Sequence, residues 1–207
     1  MDELPETPTR CRIDAMSGLM SMVTVAALIG AAWLRFGPSS SPESMVLTVG
    51  EPAPALRLLD LKTSDPLALI GLKSKVVWVV FWSAGSPAGR SCLAELAPAW
   101  RGLRVHQRFA LVTAAIEAGD PGRVRTAVAA LGVDLPVYLA SRQTQRQYRA
   151  QHADPPLHVL IDAEGTVIAT ARGADRATIQ RIADLARRRL DELDPLEPFR
   201  LASAASH

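Results

Sequence analysis

Hydrophobic positions along the chain fall into three kinds of run. The first is long and continuous. Between Asp14 and Arg35 lie 20 residues without a charge, AMSGLMSMVTVAALIGAAWL. In a helix this run would extend about 30 Å, the thickness of a bilayer's hydrocarbon core. Trp33 near its end suits a membrane interface. A cleaved signal peptide would have a shorter apolar region of about 7–15 residues. A buried core helix would be amphipathic, and this segment is apolar all round. The pattern predicts a membrane anchor over residues 15–35, behind a short N-terminal segment of residues 1–14. Arg10 and Arg12 precede the run and Arg35 follows it. That asymmetry favours an N-terminus inside and the remainder of the chain outside the cytoplasm.

The second kind is short and continuous. Residues 76–82, VVWVVFW, and residues 109–116, FALVTAAI, are rich in β-branched residues and read as buried strands. The third kind is periodic. After Asp120-Pro121, a cap and first helical residue, Val124, Ala127, Val128 and Leu131 share one helical face, and Gly132 stops the helix. Ser141 can cap a short polar helix running to about Gln151. Ile179, Ile182, Ala183, Ala186 and Leu190 mark a last helix behind Asp175. LHVLID and TVIATA, residues 157–162 and 166–171, flank Ala-Glu-Gly and predict a hairpin. Between the first strand and the second, SAGSPAGRS reads as a turn. CLAELAPAWRGL then reads as a helix interrupted or kinked near Pro98. The order β-α-β-α-β-β-α implies parallel strands with helices on both faces, plus an antiparallel hairpin.

FGPSSSPES carries Pro, Ser and Gly without periodicity, so residues 36–45 are expected to form a flexible linker. The soluble domain is expected over residues 46–190, with a loose tail over residues 191–207. About 150 residues suffice for an independent core.

Composition narrows the function. The chain has 23 basic and 21 acidic residues, a balance that gives no concentrated basic face and no expectation of nucleic-acid binding. Only two cysteines occur, Cys11 and Cys92, which excludes a disulfide-dense scaffold and any zinc site built from several cysteines. None of His106, His152, His158 and His207 stands at metal-ligand spacing with another histidine or a cysteine. His158, on a predicted strand, reads as structural. Neither metal nor cofactor is expected.

Three segments then become specific: Gly50-Glu-Pro-Ala-Pro-Ala-Leu, KVVWVVFW leading into a turn and helix, and DPPLHVLIDAEGTVI over residues 154–168. Their order and spacing resemble the thioredoxin-like proteins of the bacterial envelope. These are the TlpA-type thiol-disulfide oxidoreductases and the related thiol-specific antioxidant (redoxin) family. Such proteins start with G-x-x-A-P, carry F-W-x-x-W-C-x-x-C, and later have V-P-T-x-F-L-I-D-x-x-G. The resemblance covers the whole predicted domain. It implies an α/β, thioredoxin-like fold, a central mixed sheet with helices on both faces. One N-terminal transmembrane helix would precede it. It also implies that Pro156 matches the family's cis-proline, with Pro155 beside it in a binding loop.

The departure from the family is at the cysteines. Aligned on Phe81 and Trp82, W-C-x-x-C falls on Gly85-Ser86-Pro87-Ala88-Gly89. Ser86 and Gly89 replace both thiols. Dithiol exchange needs one thiolate to attack and a second thiol to resolve, and neither is present. Val80 stands where the family often has Asp or Asn. A second alignment, with about three extra residues in the turn, matches Cys92-Leu-Ala-Glu-Leu to the C-x-x-E-[LM] after the family's second cysteine. The two alignments differ in the helix cap. A cap at Ser86 leaves Cys92 a turn and a half inside the helix, beyond the reach of the dipole. A cap at Ser91 would activate it. The peroxiredoxin pattern P-x-x-x-[TS]-x-x-C is poorly matched, with Gly85 and Gly89 at its Pro and Thr/Ser positions.

The expected function is therefore a binding or accessory protein. It would be membrane-anchored through residues 15–35, with an extracytoplasmic domain of this type and a degenerate dithiol site. Its expected partner is an envelope thiol protein or an extended peptide. The alternative is a single-cysteine redox enzyme or peroxidase using Cys92.

Overall fold

The computed structural model describes residues 47–194 apart from Ala118. The expected N-terminal segment, anchor and linker lie outside the described residues, as does the tail beyond Asp194. No helix among the described residues is long and apolar enough to cross a membrane.

Seven strands among the described residues form one mixed sheet. They are β1 (Arg57–Asp60), β2 (Pro66–Ala68), β3 (Val76–Trp82), β4 (Phe109–Ala115), β5 (Val137–Ala140), β6 (Leu157–Ile161) and β7 (Val167–Arg172), in the order β2-β1-β5-β4-β3-β6-β7. β3 runs parallel to β4, and β4 parallel to β5. The pairs β3–β6, β6–β7, β1–β5 and β1–β2 are antiparallel. A 3-10 turn, Leu69–Leu72, follows β2.

The helices are α1 (Pro87–Leu103), α2 (Pro121–Leu131), α3 (Arg142–Gln147) and α4 (Arg176–Leu193). Each starts where a short polar side chain accepts a backbone N–H three residues on. The pairs are Ser86 with Gly89, Asp120 with Arg123, Ser141 with Thr144, and Asp175 with Thr178. Such a cap satisfies one of the four free donors of a helix start and is worth about 1 kcal/mol.

Central strand β3 organises the core. All seven of its residues are buried. Its period of two sends Val76, Trp78, Val80 and Trp82 to one face, with Cys92, Leu93, Leu96, Ile179, Ile182 and Ala186 of α1 and α4. Val77, Val79 and Phe81 go to the other face, against Leu56, Tyr148 and Ala153. α1, α2 and α4 thus pack on the first face, and the second is covered by the segment that follows α3, around Tyr148, and by the 3-10 turn. Burying the Trp78 ring, whose indole N–H is paired, contributes on the order of 3 kcal/mol.

Several boundaries and one expected break differ from the sequence expectations. α1 starts at Pro87, five residues before Cys92, because Ser86 caps it. It continues without a break through Pro98, whose ring is exposed, so the carbonyl it leaves unpaired can meet water. α3 ends at Gln147 rather than near Gln151, because Arg149 takes a left-handed φ of 51°. α4 runs on to Leu193, three residues into the expected tail.

Candidate functional site

The register of the sheet collects one set of loops at one end. Phe81 lies opposite Leu157 in the antiparallel β3–β6 pair. The chain leaving β3 at Ser83 and the chain entering β6 from Pro156 therefore meet at the same end. β4 runs parallel to β3, so Glu117 emerges there too, and antiparallel β7 delivers Arg172 and Gly173.

The turn between β3 and α1 is built from small residues and tied down by hydrogen bonds. Ser83 donates its hydroxyl to Glu117 Oε1 at 2.5 Å. The Gly85 N–H lies 3.2 Å from Ser83 Oγ and 3.3 Å from Glu117 Oε1. Arg90 Nη1 donates to Ala84 O at 2.8 Å. Ser86 is buried at 5% exposure, and its Oγ is occupied by the Gly89 N–H at 3.2 Å. Gly89 sits against the backbone of Ser83. A Cβ built on it would lie 2.3 Å from Ser83 O and 3.1 Å from Ser83 N. Real side chains do not approach backbone atoms so closely, so this helix position has room only for glycine. A Cβ on Gly85 would meet the Arg123 guanidinium at 2.6 Å, so a cation occupies the space beside the turn.

Cys92 is not at the helix start. It lies in the second turn of α1 with no exposed surface, facing the sheet. Burial pushes its thiol pKa up to about 12, with the Asp175 carboxylate adding to the rise. The neutral thiol is inert as a nucleophile. Its polar neighbour is His158, whose Nε2 is 3.8 Å from Sγ. The His158 ring is fully buried and held on both sides. Its Nδ1 accepts from Trp78 Nε1–H at 3.3 Å, and its Nε2 lies 2.9 Å from Gly173 O. That pattern assigns a neutral ring with the proton on Nε2. Burial lowers its pKa, against smaller opposing effects of the Gly173 carbonyl and Asp175. Val80, opposite His158 in the register, is apolar and buried.

The loop entering β6 carries both prolines. The cis peptide bond is Asp154–Pro155. This corrects the position implied by the resemblance, which was Pro156. Pro156 is already committed to the sheet end, since its carbonyl accepts Gly173 N–H at 3.0 Å and Leu157 opens β6. Pro155 is exposed and Pro156 buried.

Three residues in this region gave no signal in the sequence analysis. Ser83 and Glu117 pair across 34 positions, and Arg172 binds backbone carbonyls, which have no sequence signature. Among the described residues no three His, Cys, Asp or Glu side chains come together to hold a metal.

No family model matches the sequence, and no curated protein matches it. Solved structures do match the fold. A putative thiol:disulfide interchange protein DsbE from Chlorobium tepidum superposes with a TM-score of 0.62 at 20% identity. That match covers 70% of this chain and 99% of the other. A putative protein disulfide isomerase from Bacteroides thetaiotaomicron gives 0.64 at 21% identity, covering 70% and 92%. A thioredoxin family thiol:disulfide interchange protein, also from Chlorobium tepidum, gives 0.52 at 23% identity, covering 65% and 94%. By these superpositions the described chain has the thioredoxin-like fold of the thiol:disulfide interchange proteins.

Proposed function

We propose that this protein is a membrane-anchored thioredoxin-fold binding or accessory protein that does not exchange disulfides. Its anchor is the apolar run at residues 15–35, and its folded domain is extracytoplasmic. Partner chains dock at the sheet end between the Ser86 turn and the Pro155–Pro156 loop. An envelope thiol protein or an extended peptide fits that surface.

The observation that carries the reading is the packing of Gly89 on the Ser83 carbonyl. A second active-site thiol has no room there. The first position is a buried serine whose oxygen caps the helix. The neighbouring structures are described as interchange proteins, and their overall frame is retained here. The frame therefore supports docking, and the turn argues against the chemistry. The alternative enzyme built on Cys92 is opposed by that thiol's burial and by its pKa of about 12.

The test is binding of an extended polypeptide without thiols, S-carboxymethylated insulin B chain, to the full chain. The reading expects saturable binding that is unchanged in Cys92→Ser and weakened in Asp154→Arg, at an exposed position of the Pro155 loop. Absence of binding, or binding that depends on Cys92, overturns it.

A further inference from the structure

The Pro155 loop is held from behind by one side chain. Arg172 ends edge strand β7, opposite Leu157, the first residue after the loop. Its Nη2 donates to Arg149 O at 3.0 Å, and its Nη1 reaches His152 O and Pro155 O, each at 3.4 Å. Three carbonyls spread over the loop thus converge on one guanidinium. The next residue continues the brace. Gly173 N–H donates to Pro156 O at 3.0 Å, and Gly173 O faces the buried His158 ring. Gly173 takes a φ of 151°, a backbone conformation that side chains rarely adopt, so this brace position favours glycine.

We propose that Arg172 is a positioning residue for partner docking: its guanidinium fixes the 149–155 backbone so that Pro155 is presented in one conformation. The physical basis is the planar fork. Five N–H donors in fixed geometry can serve several acceptors at once, and an ammonium cannot copy that arrangement. A loop ordered before binding loses less entropy when a partner docks. Arg172 need not touch the partner to do this. The proposal rests on the docking reading above.

The experiment uses the full chain and its Arg172→Ala and Arg172→Lys variants. Two quantities are read: amide hydrogen exchange, and affinity for S-carboxymethylated insulin B chain. In Arg172→Ala, exchange at Arg149 and Ala150, whose N–H groups donate to Arg146 O and Gln145 O, becomes about tenfold faster while exchange in β3 is unchanged. Affinity for the B chain falls about tenfold. Arg172→Lys keeps the charge, loses the fork and behaves like Arg172→Ala. Faster loop exchange with unchanged affinity would make the brace merely structural and overturn the proposal. Wild-type affinity in Arg172→Lys would show that only charge matters, and overturns it as well. A wild-type chain that does not bind the B chain refutes the docking reading first, and the positioning role with it.

Discussion

Trp78 donates its indole N–H to Nδ1 of His158 at 3.3 Å, and this bond fixes the state of a histidine with no exposed surface. A protonated His158 would turn an N–H toward the Trp78 N–H and lose that acceptor. His158 then contributes to the folding energetics. It ties β6 to the core through Trp78 and to the connection between β7 and α4 through Gly173.

The first prediction is a pH dependence. The folded-state pKa of His158 is lowered, chiefly by burial. The neutral ring is favoured by folding, so this contribution is complete above the unfolded value of about 6.5 and is lost as pH falls through the folded pKa. Within that window the slope is at most one proton, about 1.4 kcal/mol per pH unit. Asp175 also has a lowered pKa, through its bonds to Thr178, so its effect appears only at lower pH, in the carboxylate range. Urea midpoints measured from pH 8 to pH 3 should begin to fall near the unfolded value of about 6.5, above the carboxylate range. His158→Phe should remove the part of the fall that begins there.

A second prediction concerns Gly89. An alanine there places a methyl group against the Ser83 carbonyl, and the backbone must move. Gly89→Ala should destabilise the domain by about 2–3 kcal/mol, measured by urea unfolding. The double change Ser86→Cys with Gly89→Cys should likewise give an unstable chain and no interchange activity. A stable, active double variant would show that the turn is compliant.

A third prediction concerns the cap. Ser86 Oγ accepts the Gly89 N–H, so Ser86→Ala should cost about 1 kcal/mol and Ser86→Gly only a few tenths. Equal losses in the two variants would mean that the hydroxyl has another role.

The fourth concerns Cys92. A rise in thiol pKa from 9.0 to about 12 leaves far less thiolate at neutral pH. In a Cys11→Ser chain, native alkylation by iodoacetamide at pH 8 should be at least about a hundredfold slower than in the urea-unfolded chain. A peroxide pulse should not change the labelling seen after unfolding. Fast native labelling blocked by peroxide would restore the single-cysteine enzyme.

The sequence carried the fold wherever a physical pattern was long enough to register. β3 was legible because seven consecutive apolar residues serve two faces, Val80 and Trp82 on one and Val79 and Phe81 on the other. α4 was legible because the five residues on its predicted face are its five buried residues. β1, β2 and β5 were not, since strands of three or four residues show no usable period. Leu58 is buried and Leu59 48% exposed, so even the side chains of β1 look alike in sequence. Pro66 would argue against a strand, and it is tolerated because β2 is an edge. At the site, the sequence offered a cap at Ser86 or at Ser91, and the structure selects Ser86. The fit of Gly89 on Ser83 and the Arg172 bonds depend on backbone atoms brought together by the fold, and composition cannot reveal them.

Dithiothreitol-driven reduction of insulin disulfides tests the central claim most directly. The full chain should give the rate of the protein-free control, and Cys92→Ser should be indistinguishable from it. Turnover above the control that disappears in Cys92→Ser would contradict the account, because it would make the buried thiol of Cys92 a working nucleophile.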